Sequence, residues 1–172
     1  TVPPGDCAAS QGHEVTSIFA RAEDAGMATG VVSTARITHA TPAATYAHTP
    51  VRDWEDDAAM GDQAGGACKD IADQLINWPH GDGFEVVLGG GRSYFLAAAT
   101  PDPEDEGKTG RRKDRDLTVE WTGKDNNHLF VWNTEQLNAI DLASSPHILG
   151  LFEGSHMEYE ADRARDAGGE PS

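Results

Sequence analysis

The stretch Ser33 to Trp54, STARITHATPAATYAHTPVRDW, holds the residues of this chain best suited to chemistry. His39, Thr41, His48 and Arg52 fall just past an apolar run that reads as a buried strand. In open α/β sheets, ligands bind beyond the carboxyl ends of the strands. An imidazole and a hydroxyl there offer donors to a metal, and a guanidinium matches phosphate with two parallel hydrogen bonds. The expected chemistry is a metal-assisted phosphate site, or part of one. No obvious nucleophile motif completes it. Each residue also has a plainer reading. Thr41 equally serves as an N-cap ahead of Pro42, His39 as a strand-end side chain, and Arg52 as a solvated partner of Asp53. His48 reads as structural, on the apolar side of a short helix, and Tyr46 and Trp54 as local packing.

Glu104, Glu153 and Glu170 are candidate hard-oxygen ligands. Glu153 follows a buried-strand pattern, where an unpaired carboxylate is costly. A cation, an arginine or solvent at the strand end would each satisfy it. Asp102 and Asp105 read as ordinary loop solvation.

These residues need elements to hold them. HEVTSIFARAEDAG, His13 to Gly26, reads as an amphipathic helix with Val15, Ile18, Phe19 and Ala22 as its apolar stripe and Gly26 as its stop. MATGVVST follows as a short buried strand. Thr41-Pro42 opens a short helix that stops near Pro50. Residues 51–66 are acidic, Gly-rich and solvated. CKDIADQLINW, Cys68 to Trp78, is a second amphipathic helix with Ile71, Ala72, Leu75 and Ile76 inward. FEVVLGGG is a strand running into a glycine turn. It lacks the GxGxxG pattern ahead of a helix, which excludes a dinucleotide fingerprint. Residues 97–112 read as a loop insertion. Arg115 to Thr122 is a short helix, HLFVWN a strand, Thr134 to Ala139 a short helix capped near Asn133, and HILGLFE a strand. HMEYEADRA reads as the start of a charged helix. The alternation predicts an α/β fold: a mostly parallel sheet in a single segment, 1–172, with helices on both faces in three layers.

Composition narrows the partners. The chain has 172 residues, 13 basic and 29 acidic, for a formal charge of -16. A field of that sign repels nucleic acid, anionic lipid and phosphate esters, so a phosphate site needs local cations. It either suits a saline, halophilic setting, where self-repulsion is screened, or simply keeps the chain soluble. No apolar run approaches the roughly 20 residues of a membrane span. The opening TVPPGDC carries no signal peptide. Cys7 and Cys68 either form one long-range bridge, which implies export, or remain separate thiols; neither belongs to a CxxC pair.

GHEVTSIFARAEDAG, VVSTARITHATPAATYAHTPVRDW, GGACKDIADQLI, FEVVLGGGRSYF, TPDPEDEG, HLFVWNTEQL and LGLFEGSHMEYE, in this order, resemble the alkaline phosphatases, nearer to the animal type than to the short enterobacterial type. The resemblance covers essentially the whole chain. It implies a secreted or periplasmic, usually homodimeric metalloenzyme that hydrolyses phosphate monoesters through a phosphoserine, with two zinc ions and a magnesium. By resemblance, Arg52 grips the phosphate oxygens, Thr41 ligates the magnesium, and His39 acts through magnesium-bound water. Cys7 and Cys68 fall on a disulfide. Glu104, the Phe152 backbone oxygen and Glu153 fall on a peripheral calcium site, whose last ligand, normally Asp before Pro-Ser, is here Glu170. The family's serine nucleophile, zinc ligands and magnesium-binding Glu have no counterpart in this sequence. The expectation is an internal segment of a larger enzyme, inactive alone, associating as a homodimer or through strand edges. The alternative is a non-catalytic, calcium-stabilised fragment.

Overall fold

A computed structural model describes residues 3, 5–163 and 169–171. Four apolar runs form parallel strands: β1 (Gly30–Arg36), β2 (Val86–Gly90), β3 (His128–Val131) and β4 (His147–Leu151). Their order across the sheet is β1-β2-β4-β3. The register aligns Val31 with Val87 and Val87 with Leu149, so these three side chains share one face. Parallel neighbours need crossover connections, and short helices occupy them. The described helices are α1 (Cys7–Ser10), α2 (Ile18–Asp24), α3 (Ala40–Ala43), α4 (Asp57–Met60), α5 (Ile71–Ile76), α6 (Leu117–Thr122) and α7 (Thr134–Asn138). Asp6, Ser17, Asp56, Asp70, Asp116 and Asn133 each cap a helix by accepting a first-turn backbone N–H.

The main core lies on the Val31–Val87–Leu149 face. Ile71, Leu75 and Ile76 of α5, Leu117 and Trp121 of α6, and Ile37, Tyr46, Phe84 and Phe95 complete it. On the other face, Val131, Ile148 and Phe152 pack with Leu88, Leu137, Ile140 and Met157. That second layer does not reach β1, where Val32 is 73 % exposed. Cys7 and Cys68 are joined in a disulfide, and a small cluster of Trp54, Met60 and Val51 surrounds it.

Several expected elements are shorter or turned. The first helix starts at Ile18, capped by Ser17, and its buried residues are Ala20 and Glu23, with Phe19 packed on the core. Val15 and Ile18, expected inward, are exposed, because Ala20 and Glu23, three apart, share the inward face. Of β1, only Val31 is buried. Thr41 is not an N-cap: His39 holds that position and Pro42 is the third helical residue. The expected charged helix after Glu153 does not form over the described residues 154–163; residues 164–168 lie outside them. There the backbone bonds elsewhere, Met157 N–H to Thr34 O and Glu158 N–H to the Glu170 carboxylate. Asp102 is buried rather than solvated, because Arg92 binds both of its oxygens. Asp105 is partly buried beside it, its backbone N–H donating to Asp102.

Candidate functional site

β1 ends at Arg36, and residues 37–39 turn the chain from the sheet rim into α3. Ile37 N–H donates to Gly90 O, His39 N–H to Arg36 O at 2.9 Å, and the buried Tyr46 hydroxyl to Ile37 O at 2.9 Å. This fixed turn presents His39, whose Nε2 lies 3.1 Å from Arg52 Nη2. A guanidinium only donates, so Nε2 accepts and the proton of the neutral ring sits on Nδ1. The rest of Arg52 faces solvent: its side chain is 62 % exposed, with Nε 3.8 Å from the still more open Asp53. Thr41 is exposed two residues further on, in α3. The structure thus joins His39 and Arg52 at the carboxyl end of β1, with Thr41 on the same turn. His48 is exposed, with its backbone held by the Gln74 amide, and is not on an apolar face. Tyr46 and Trp54 are packed in clusters, as their sequence settings imply.

Four further residues shape this rim. Arg36 places Nη2 and Nε on the two oxygens of Glu55, at 2.8 and 2.9 Å. The Thr38 hydroxyl donates to Glu55 Oε2 at 2.6 Å. Burial alone would raise the Glu55 carboxyl; Arg36 and Thr38 more than reverse this and hold it below its ordinary range. His156 Nδ1 accepts the Arg36 backbone N–H at 3.1 Å, its Nε2 lies 2.8 Å from Arg36 Nη1, and its ring edge meets His39 at 5.2 Å between centroids. Burial, then the positive charge of Arg36, lowers the pKa of His156. Arg36 and Thr38 lie within the stretch that first drew notice, but the Arg36 ion pair and the Thr38 hydrogen bond to Glu55 have no sequence signal. His156 sits in the LFEGSHMEYE run, unremarked among charged neighbours.

The acidic set lies past β2 and β4. Arg92, fully buried in the turn after β2, puts Nη2 on Glu104 Oε2 while its backbone N–H donates to the Glu153 carbonyl. Phe152 is buried, with its N–H on Gly89 O. Glu170 is buried and accepts from Glu158 N–H. Glu104 Oε1 and Glu170 Oε2 are buried oxygens. Among the described residues, however, the three carboxylates that converge within 4.8 Å are Glu23, Asp82 and Glu85, at the opposite rim. At the Arg52 rim, the Thr41 hydroxyl is one donor, and His39, with Nε2 accepting from Arg52, reaches a metal only through water. Magnesium takes about six ligands and zinc about four, so these two complete neither site.

The family profile "Alkaline phosphatase" matches residues 6–172. The tissue-nonspecific isozyme of alkaline phosphatase from Gallus gallus is 44 % identical over 168 residues, covering 91 % of this chain and 31 % of that protein. Alkaline phosphatase from Gadus morhua is 41 % identical over 165 residues, covering 91 % and 34 %. The chain spans about a third of the length of these relatives. The crystal structure of Thermus thermophilus alkaline phosphatase superposes with a TM-score of 0.66 at 31 % identity, over 95 % of this chain and 28 % of that one. A cold-active alkaline phosphatase from Shewanella sp. superposes with a TM-score of 0.56 at 27 % identity, over 86 % and 27 %.

Proposed function

This chain belongs to the alkaline phosphatase family, and on that premise we propose that it supplies the phosphate-gripping guanidinium of a phosphomonoesterase. Arg52 takes the non-bridging oxygens of a phosphate monoester, and Thr41, with His39 acting through magnesium-bound water, forms one side of a magnesium site that other parts of a longer polypeptide complete. The observation that supports this most is the 3.1 Å approach of Arg52 Nη2 to His39 Nε2 beyond the carboxyl end of β1. His39 orients the guanidinium through one nitrogen and leaves its remaining donors open to the ester. Those donors neutralise charge on the transferring group where the acidic surface would otherwise repel it. The Arg36–Glu55–Thr38 network holds the turn that carries His39 and spares Arg52 from pairing with Glu55.

Residues 1–172 act as one unit, with 97–112 as an insertion. Its Glu104, with Phe152, Glu153 and Glu170, holds a calcium ion away from the reaction. The burial of Glu104 and Glu170 supports that reading. A calcium-stabilised, non-catalytic role of the same residues is the second reading, and the activity test separates the two. The disulfide fits an oxidising, secreted or periplasmic setting, the acidic surface a saline one, and the exposed Val32 on edge strand β1 a dimer or edge contact.

In the full-length enzyme, Arg52→Ala is expected to weaken inorganic-phosphate inhibition and slow phosphate-ester turnover by about a hundredfold without abolishing it. Steady-state hydrolysis and phosphate inhibition measure both. Unchanged values for both would reject the clamp.

A further inference from the structure

The segment that follows β4 crosses the carboxyl rim of the sheet toward β1. Glu153 O accepts the N–H groups of Gly91 and Arg92 at 2.9 and 2.8 Å, and Gly154 O accepts the Ser93 hydroxyl at 2.6 Å. At the far side of the crossing, Met157 N–H donates to Thr34 O at 2.9 Å. The strap lies so close over β2 that a Cβ at Gly90 would collide with the Ser155 carbonyl oxygen, so only glycine fits there. Backbone bonds on both sides therefore fix residues 153–157. They bring His156 from the end of β4 to the end of β1.

His156 is seated on Arg36. Its Nδ1 faces the Arg36 backbone N–H at 3.1 Å and its Nε2 faces Arg36 Nη1 at 2.8 Å. A neutral ring accepts at one of these two nitrogens. Arg36 is itself anchored on both oxygens of Glu55, with its side chain 16 % exposed, so the base under the ring is fixed. The rings of His156 and His39 then meet edge to face, with 72° between their planes and 5.2 Å between centroids. That separation lies within the range of favourable aromatic pairs. His39 holds the N-cap position of α3 but makes no capping bond with its side chain, so the helix end does not set its ring. The same ring meets Arg52 Nη2 through Nε2 at 3.1 Å.

We propose that His156 is a positioning residue for phosphate binding: its ring braces His39, and His39 in turn aims the Arg52 guanidinium. The inference rests on the reading of Arg52 as the phosphate clamp and names the group that keeps the clamp's partner in place. The Arg52 side chain is mostly exposed and rich in rotamers. Order imposed on it before the ester arrives is order that binding need not supply. His156 acts through His39 and not on the ester.

Two variants of the full-length enzyme separate the ring from its hydrogen bond. His156→Asn keeps an acceptor for the Arg36 N–H and removes the ring. His156→Phe keeps a ring against His39 and removes the acceptor. Both change an exposed side chain, so thermal unfolding is expected to match wild type. The dissociation constant of inorganic phosphate, measured by calorimetry and as an inhibition constant, is expected to rise about three- to tenfold in His156→Asn and less than about twofold in His156→Phe. In an Arg52→Ala background, His156→Asn is expected to add no further loss, because the guanidinium it helps to aim is gone. Wild-type phosphate affinity in His156→Asn would overturn the proposal. Equal losses in the two variants would overturn it too, as would a fully additive loss in the Arg52→Ala background. Unchanged phosphate affinity in Arg52→Ala alone would reject the clamp itself, and the proposal with it.

Discussion

Arg92 and Arg112 are fully buried, and each is held by two carboxylates: Asp102 and Glu104 for the first, Asp70 and Asp114 for the second. In sequence, Asp102 sits in TPDPEDEG and has the look of solvated loop. Its role comes from a guanidinium ten residues earlier, a contact that no local pattern encodes. Asp102 Oδ1 and Oδ2 take Arg92 Nη2 and Nε at 2.7 and 3.1 Å, and Oδ1 also takes the N–H of Glu104 and Asp105. Burial alone would raise the Asp102 carboxyl, and these bonds more than reverse it, so its folded pKa lies below the ordinary value. A depressed carboxylate contributes stability above its unfolded pKa, about 4, and loses it as pH falls through the folded value. Asp102→Asn is therefore expected to cost about 3 kcal/mol near neutrality. The gap to wild type should narrow progressively below about pH 4. Urea unfolding of the full-length protein at a series of pH values measures this, and parallel stability curves across the acid range would contradict it.

At the level of elements, strands were more legible than helices. Apolar runs such as FEVVL and HILGL have one reading in a covered parallel sheet, and both became strands. Helix faces depend on which neighbour covers them. That is why Val15 and Ile18 look inward by period yet stand exposed, while Glu23 is buried. Caps are local chemistry, yet only some read from sequence hold: Asn133 accepts Gln136 N–H at 2.8 Å, whereas Thr41 lies inside α3 and His39 takes the cap position. Asp116 does more than any other cap here. Its Oδ1 accepts the N–H of Thr118 and Val119 and the Thr118 hydroxyl, and its Oδ2 accepts the Thr100 hydroxyl at 2.8 Å. It thus starts α6, which packs on β3 and α5, and anchors the loop that carries Asp102 and Glu104. Asp116→Ala is expected to cost about 2 kcal/mol, the upper end for a cap, and Asp116→Asn well under half of that. Thermal unfolding of both variants distinguishes a capping role from simple removal of charge; equal losses would favour the latter.

Across the whole molecule, the sequence placed the strand-to-helix turn and the Arg52–His39 approach on one rim, because motif residues close in sequence meet there. It did not show Glu55 or His156, which arrive from other connections, or the Glu23–Asp82–Glu85 group at the far rim. The same assembly explains what residues 1–172 should lack by themselves. Arg52 is mostly exposed and the chain carries a charge of -16. An exposed ion pair contributes about 1 kcal/mol or less, whereas enzymes lower barriers by about 8 kcal/mol or more. The Thr41 hydroxyl offers one donor, and His39, its Nε2 held by Arg52, offers no free lone pair, so these two groups alone complete no metal site. Residues 1–172, supplied with zinc and magnesium, are accordingly expected to hydrolyse a chromogenic phosphate ester no faster than metal-containing buffer. Robust turnover that vanishes on chelation would show that the reacting groups lie within these residues, and would move the active centre away from the site assigned to Arg52.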